Sequence, residues 1–135
     1  MEFKSLNQIF ENRIFRIPDY QRGYAWRSDV EVLDFWNDLL NLHNRQFHFT
    51  GSLTLQEITG NELENSLHYD KWICDDLDYK AWSVIDGQQR LTTAIILLQS
   101  IHDFLSKCRP EDYFMNSLVS EAIKNIQNKF IIGVR

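Results

Sequence analysis

The run DGQQR at 86–90 brings together the groups best suited to handling phosphate. It follows an apolar segment that predicts a β-strand, and residues with helical spacing come directly after it. The first turn of a helix has free N–H groups and the positive end of the dipole, which favour phosphate, and Gly87 lets the backbone approach a ligand closely. Arg90 adds a planar set of donors that matches phosphate oxygens. We therefore predict a phosphate site at Gly87, Gln88 and Arg90, with Asp86, Gln89 and Arg90 as catalytic candidates.

Asp86 would lie at the carboxyl end of the predicted strand. There its carboxylate could orient Arg90, hold a Mg²⁺ ion or position a water molecule. A simpler interpretation makes Asp86 and Gly87 only a turn that caps the next helix. Two glutamines and an arginine directly behind them favour the functional interpretation. At about 100° per residue, Arg90 falls at the border of the apolar helical stripe, so its side chain can reach a cleft.

A second cluster surrounds Gln21 and Arg22, which three aromatic residues flank. Glutamine and arginine can bind a base edge or a phosphate, and aromatic rings can stack on a base or a guanidinium. Burying the charged side chain of Arg22 among aromatic residues would cost free energy unless it has a partner. We predict Gln21 and Arg22 as phosphate-binding residues and Tyr20 and Tyr24 as stacking residues. Tyr24 and Trp26 also suit a structural role, as anchors of the following helix.

Three further residues are weaker candidates. The segment FTGS at 49–52 contains a glycine that could bring the backbone close to a ligand, and Ser52 is counted among the phosphate-binding candidates. A glycine in a strand is as often a bulge. His43 and His48 lack the spacing of one helical face and are expected at the surface or at a rim. If these groups form one pocket, Gln21 and Arg22 must lie across a cleft from Arg90.

Hydrophobic periodicity predicts the elements that position these residues. Strands are expected over 13–18, 51–58 and 81–86, and helices over 5–12, 29–44, 88–107 and 111–129. Ser28 and Glu31 have the spacing of a capping box for the second helix. Residues 59–80 lack a clear period and predict an exposed insertion. Together these elements predict an α+β fold, a small sheet packed against several helices, with one domain over 1–135.

Composition narrows the class of protein. The net charge is −5, which argues against a protein that coats DNA through basic residues. Cys74 and Cys108 form no CxxC pair, so a disulfide framework or structural zinc site is not expected. Because the chain lacks a signal-peptide pattern and a membrane-length apolar run, we expect a cytoplasmic protein without membrane contact. The last residues, KFIIGVR at 129–135, suggest the N-terminal piece of a longer protein.

Three motifs follow one another along the chain: IPDYQRGYAW at 17–26, FTGS at 49–52 and DGQQRLTT at 86–93. Together they resemble the N-terminal domain of GmrSD-type modification-dependent restriction (anti-phage) proteins of bacteria, in the ParB/sulfiredoxin-like superfamily. The resemblance covers residues 5–107, and 111–129 would add a C-terminal helix.

The resemblance implies a ParB-like α+β fold and nucleotide binding, often with nucleotide hydrolysis coupled to DNA restriction. It assigns the phosphate-handling role to residues 86–90, with Gln21 and Arg22 completing the pocket from the other side. It also implies a C-terminal helical domain and an HNH-type nuclease in the complete protein, neither of which lies within these residues.

Three functions stay open at this point. The first is a regulatory domain that binds and hydrolyses a nucleoside triphosphate (NTP), with Mg²⁺ at Asp86 as the expected metal and modified DNA as the partner of the full-length protein. The second is a non-catalytic DNA-sensing module whose arginines grip backbone phosphates, and the net charge counts against it. The third is a ParB-like nuclease, which the lack of a convincing carboxylate cluster disfavours.

Overall fold

The computed structural model describes residues 2–43, 46–67 and 71–130 as an α+β fold, as the sequence predicts. In chain order the elements of the described residues are α1 (Leu6–Phe10), β1 (Arg13–Arg16), α2 (Glu31–Leu40), β2 (Thr54–Glu57), α3 (Asn61–Ser66), α4 (Lys71–Leu77), β3 (Lys80–Asp86), α5 (Gln88–Lys107) and α6 (Tyr113–Phe130). No helix in these ranges is long and apolar enough to cross a membrane.

The sheet has the strand order β1-β3-β2, so β3 lies in the middle. β1 runs parallel to β3 and ends opposite Ser83, whereas β2 runs antiparallel and begins opposite Asp86. Both edges of β3 are therefore covered, and its Val84 is completely buried. Because β1 stops short of the end of β3, the last residues of β3 face the loop that follows β1.

The core lies where β3 continues into α5. Its buried apolar residues are Ile58, Ile73, Ala81, Val84, Leu91 and Ala94. α6 packs against α5, and Phe130 near its end meets Phe10 of α1 with ring centroids 5.5 Å apart. The first two turns of α5 are thus held by the core, which fixes the position of the residues just before them.

Two predicted elements differ in extent from the observed ones. The strand expected over 51–58 is shorter, because Gly51 has φ +102° and interrupts the extended backbone before β2 begins. The helix expected over 29–44 begins at Glu31 with Val30 as its N-cap, and residue 44 lies outside the described residues. The predicted capping box at Ser28 is wrong, since the Glu31 carboxylate instead accepts the backbone N–H of Arg27 at 3.0 Å. The other elements have ends that shift by two residues or fewer.

The expected exposed insertion at 59–80 is more ordered than predicted. It contains α3 and α4, and Ile73 of α4 is only 3% exposed. The apolar residues Trp72, Ile73 and Leu77 span too short a segment to indicate a helical period, but the buried Ile73 is enough to anchor this short helix to the core. Residues 68–70 of this segment, and the end of the KFIIGVR segment at 131–135, lie outside the described residues.

Candidate functional site

The junction between β3 and α5 is made by Gly87. Its φ of +92° and ψ of 8° place it in the left-handed region, and α5 begins at the next residue, which confirms the predicted switch from strand to helix. A Cβ added at Gly87 would lie 2.9 Å from the Ser52 carbonyl oxygen and 3.0 Å from Leu53 Cδ1. Glycine is therefore required at position 87 for two reasons, the backbone angle and the close approach of the Ser52–Leu53 backbone.

The first turn of α5 carries two buried glutamines, Gln88 and Gln89, which are 7% and 8% exposed. Gln89 accepts the backbone N–H of Ala25 at 2.8 Å and donates to the Gly23 carbonyl at 3.1 Å. Gln88 donates its amide N–H to the Arg22 carbonyl. Both side chains therefore bind the backbone of loop 21–25, some 65 residues away in the chain.

Two further contacts fix loop 21–25. Gln21 donates to the carbonyl of Ile85 at 2.8 Å, at the end of β3 that β1 leaves uncovered. The hydroxyls of Tyr24 and Thr93 are 2.9 Å apart, and Thr93 already donates to the carbonyl of Gln89. Tyr24 is therefore the donor to Thr93. These bonds support the structural interpretation of Tyr24, and its stacking role stays a prediction.

The two predicted clusters meet in one small cavity of about 170 Å³. Its walls are Gln21, Arg22, Trp26, Asp86, Gly87, Gln88, Gln89 and Arg90. The prediction that Gln21 and Arg22 share a cleft with Arg90 is thus confirmed. Tyr20, a predicted stacking residue, is 74% exposed and is not among these walls.

Arg90 is held from the opposite side by loop 48–53. Its Nη1 donates to the Ser52 carbonyl at 2.7 Å, and a Cβ added at Gly51 would lie 2.9 Å from its Cζ. The contribution of Ser52 to this contact is its backbone, whereas its side chain is exposed and does not line the small cavity. Phosphate binding by Ser52 itself stays a prediction.

A larger cavity of about 580 Å³ lies on the other side of Arg90. Gly87 and Arg90 line both cavities, so the two spaces adjoin. The other walls of the larger cavity include the chain before α1, residues 48–55 and Trp82. His48, expected at the surface or at a rim, is one of these walls, with its side chain 21% exposed. Sequence reasoning missed this cavity, although the aromatic Phe49 directly before Thr50 and Gly51 was an available signal.

Asp86 is the only acidic residue among the walls of the small cavity, and its side chain is exposed. Within residues 2–43, 46–67 and 71–130, no group of three or more histidine, cysteine or acidic side chains could hold a metal ion. A Mg²⁺ ion bound to a nucleotide usually takes only one or two carboxylates, with phosphate oxygens and water as its other ligands. The single exposed carboxylate of Asp86 fits that kind of site.

Comparison with known proteins gives one family. A family model described as "GmrSD restriction endonuclease, N-terminal domain" matches residues 6–133, nearly the whole chain. Searches of curated proteins and of solved structures give no match. The family match spans all three motifs and both walls of the small cavity.

Proposed function

The chain belongs to the GmrSD restriction endonuclease N-terminal domain family, and we propose that it binds and hydrolyses a nucleoside triphosphate as a regulatory step in the restriction of modified DNA. The observation that carries the proposal is the small cavity where loop 21–25 meets residues 86–90. In the complete protein of the bacterial cytoplasm, this step would control a nuclease domain that follows in the same chain.

The charges around the small cavity support an anionic ligand. The first N–H groups of a helix have no intrahelical acceptor, and the dipole is positive at this end. Arg22 and Arg90 add two guanidinium groups, against the one carboxylate of Asp86. The cavity is therefore locally positive, although the whole chain carries a net charge of −5.

Gln88 gives an independent reason to expect a ligand. Gln88 is only 7% exposed and lines the small cavity, yet its amide oxygen has no hydrogen-bond donor among the described residues. A buried acceptor without a donor costs about 1–3 kcal/mol. A donor supplied by a ligand would remove that cost.

In this proposal Arg22, Arg90 and the backbone after Gly87 bind the phosphates. Asp86 orients the attacking water or holds Mg²⁺ together with phosphate oxygens. The bound metal would neutralise negative charge on the phosphates. The charge that develops during hydrolysis falls on the phosphate oxygens, where the fixed guanidinium group of Arg90 stabilises it without reorganisation.

The tandem glutamines have a different role. Gln88 and Gln89 hold the backbone of loop 21–25, and through it they position Arg22 opposite Arg90. Both polar atoms of the Gln89 side chain are occupied by this loop. A direct catalytic contact of Gln89 with the ligand stays a separate prediction.

The test compares Arg90→Ala with Arg109→Ala. Arg109 lies after the far end of α5, where it donates to the carbonyls of Ser106 and Cys108. Binding of each of the four common NTPs with Mg²⁺, and of duplex DNA, is measured by titration calorimetry, with melting temperature recorded on the same preparations. A lost charge-assisted bond lowers affinity by about tenfold or more, so Arg90→Ala should lose NTP binding and Arg109→Ala should keep it.

Unchanged NTP affinity in a stably folded Arg90→Ala variant would overturn the role of this cavity. Binding of duplex DNA without any NTP binding by the unaltered chain would instead favour the DNA-sensing alternative. In the complete protein, NTP turnover should fall in the same variant, because the charge on the phosphates grows in the transition state.

A further inference from the structure

We propose that the larger cavity, of about 580 Å³, receives the base and ribose of the nucleotide, and that Phe49 is the surface on which the base stacks. This inference rests on the proposed function, since it places the organic part of a ligand whose phosphates occupy the small cavity. It names a binding role for a residue outside both of the predicted clusters.

The two cavities differ in the size of ligand that they can hold. Ligand pockets usually enclose about 300–1,000 Å³. The small cavity, at about 170 Å³, falls below this range and is too small for a complete nucleoside triphosphate, whereas the larger one falls within it. Gly87 and Arg90 line both spaces, so a phosphate chain bound at Arg90 lies next to the larger cavity as well as the small one.

The walls of the larger cavity are suited to a nucleoside. Phe49 is 63% exposed and Phe3 81% exposed, and both line the larger cavity, with ring centroids 6.2 Å apart at an angle of 64°. Exposed aromatic rings beside a cavity suit stacking with a base, since every base has a π-face. Leu53 and Leu91 supply apolar contacts on the same cavity. Thr50 and Ser52, whose side chains carry hydroxyl groups, are also among its walls.

The predicted stacking residues on the other loop are less suited to this role. Tyr24 donates its hydroxyl to Thr93, which ties the ring to α5. Neither Tyr20 nor Tyr24 is among the walls of the two adjoining cavities. The aromatic surface that adjoins the phosphate site is therefore on loop 48–53.

The test separates the phosphates from the nucleoside. The 135-residue chain is titrated with ATP, GTP, CTP and UTP, each with Mg²⁺, and with inorganic tripolyphosphate as a probe that lacks base and ribose. Loss of one stacked base typically weakens binding by about fivefold to 150-fold, so Phe49→Ala should lose affinity of this order for the preferred NTP. Its affinity for tripolyphosphate should change by less than about twofold, because tripolyphosphate has no base that could stack on Phe49.

Phe47→Ala is the matched control, because Phe47 is 97% exposed and is not a wall of this cavity. Phe49→Tyr keeps the ring and should retain NTP binding, whereas Phe49→Leu keeps apolar bulk without an aromatic face and should resemble Phe49→Ala. Circular dichroism checks that each variant is folded. If Phe49→Ala itself is unfolded, the Leu and Tyr variants still decide between stacking and bulk.

The outcomes distinguish this inference from the proposed function. If Phe49→Ala and Phe49→Leu bind NTP as tightly as Phe47→Ala does, while Arg90→Ala loses both NTP and tripolyphosphate, the nucleoside does not lie on Phe49 and the phosphate site stands. If the unaltered chain binds neither NTP nor tripolyphosphate, both proposals fail. Tripolyphosphate binding as tight as that of every NTP would also overturn the nucleoside site.

Discussion

The two loops that enclose Arg90 and the start of α5 are held in different ways. Loop 21–25 is bound by side-chain hydrogen bonds, chiefly from Gln88 and Gln89, which fix its backbone at several points. Loop 48–53 is tied to the start of α5 by one hydrogen bond, from Arg90 to the Ser52 carbonyl, and by close backbone packing that only glycines permit. One wall of the site is held by hydrogen bonds from side chains to backbone, and the other is a close approach of two chain segments.

The two loops suit different proposed roles, phosphate binding for loop 21–25 and base stacking for loop 48–53. Buried hydrogen bonds to the backbone hold one arrangement, because each broken bond leaves an unpaired group. Such a wall can present Arg22 in a fixed place for phosphates. Loop 48–53 instead leaves its aromatic Phe49 exposed, and stacking tolerates variation in the base better than hydrogen bonding does.

The largest expected effect is at Gly87, which lines both cavities. Gly87→Ala should lower the free energy of unfolding by about 3 kcal/mol, since alanine at this backbone angle is strained and its Cβ meets the Ser52 carbonyl oxygen. Urea unfolding measures the change. Gly23→Ala is the control, because a Cβ there has nothing within 4 Å. Equal stability of the two variants would contradict the requirement for glycine at the junction.

The second-largest effect is expected where Gln89 binds loop 21–25. Gln89→Leu should lower the free energy of unfolding by about 2 kcal/mol, because the Ala25 N–H and the Gly23 carbonyl lose their partners. Gln99→Leu, on the same helix, loses only a surface bond to Asp103 and should change stability little. If NTP binding survives Gln89→Leu unchanged in the folded protein, loop 21–25 does not need this anchor to present Arg22.

A smaller effect tests the close-packed wall. Gly51→Ala should cost about 1–2 kcal/mol from its backbone angle, and it should also weaken NTP affinity by displacing Arg90. Gly60 has φ +57° and open space around it, so Gly60→Ala carries backbone strain without touching the site. Calorimetric titration of both variants separates the two causes. An equal NTP affinity in the two would show that Arg90 adapts to the new methyl group.

The smallest expected effect is at Glu31, just beyond loop 21–25. The backbone N–H of Arg27 holds the pKa of Glu31 below its ordinary value of 4.5. A carboxyl whose pKa is lower in the folded state stabilises the fold above pH 4.5, and this contribution is lost as the pH falls below that value. Urea unfolding of the native chain and of Glu31→Gln should therefore differ slightly at pH 7 and converge at acidic pH. A difference that grows on acidification would reverse the assigned sign.

Sequence alone determined the elements with strong local signals. The helix over 88–107 is found as predicted, because its apolar spacing is regular and Gly87 marks its start. The short elements were less accessible: α4 buries only Ile73 among its described residues, and α2 begins at Glu31 with Val30 as its N-cap and no side-chain cap. Local patterns identify a helix more securely than they identify which neighbour satisfies its first N–H groups.

For the site, sequence determined which residue types could handle phosphate, and even that Gln21, Arg22 and Arg90 share a cleft. Only the tertiary structure decided that Gln88 and Gln89 turn toward loop 21–25 and that Arg90 stands between two cavities. The physical reason is distance along the chain. These contacts join residues more than 35 positions apart, and helical or strand periodicity describes only the neighbours within a few residues.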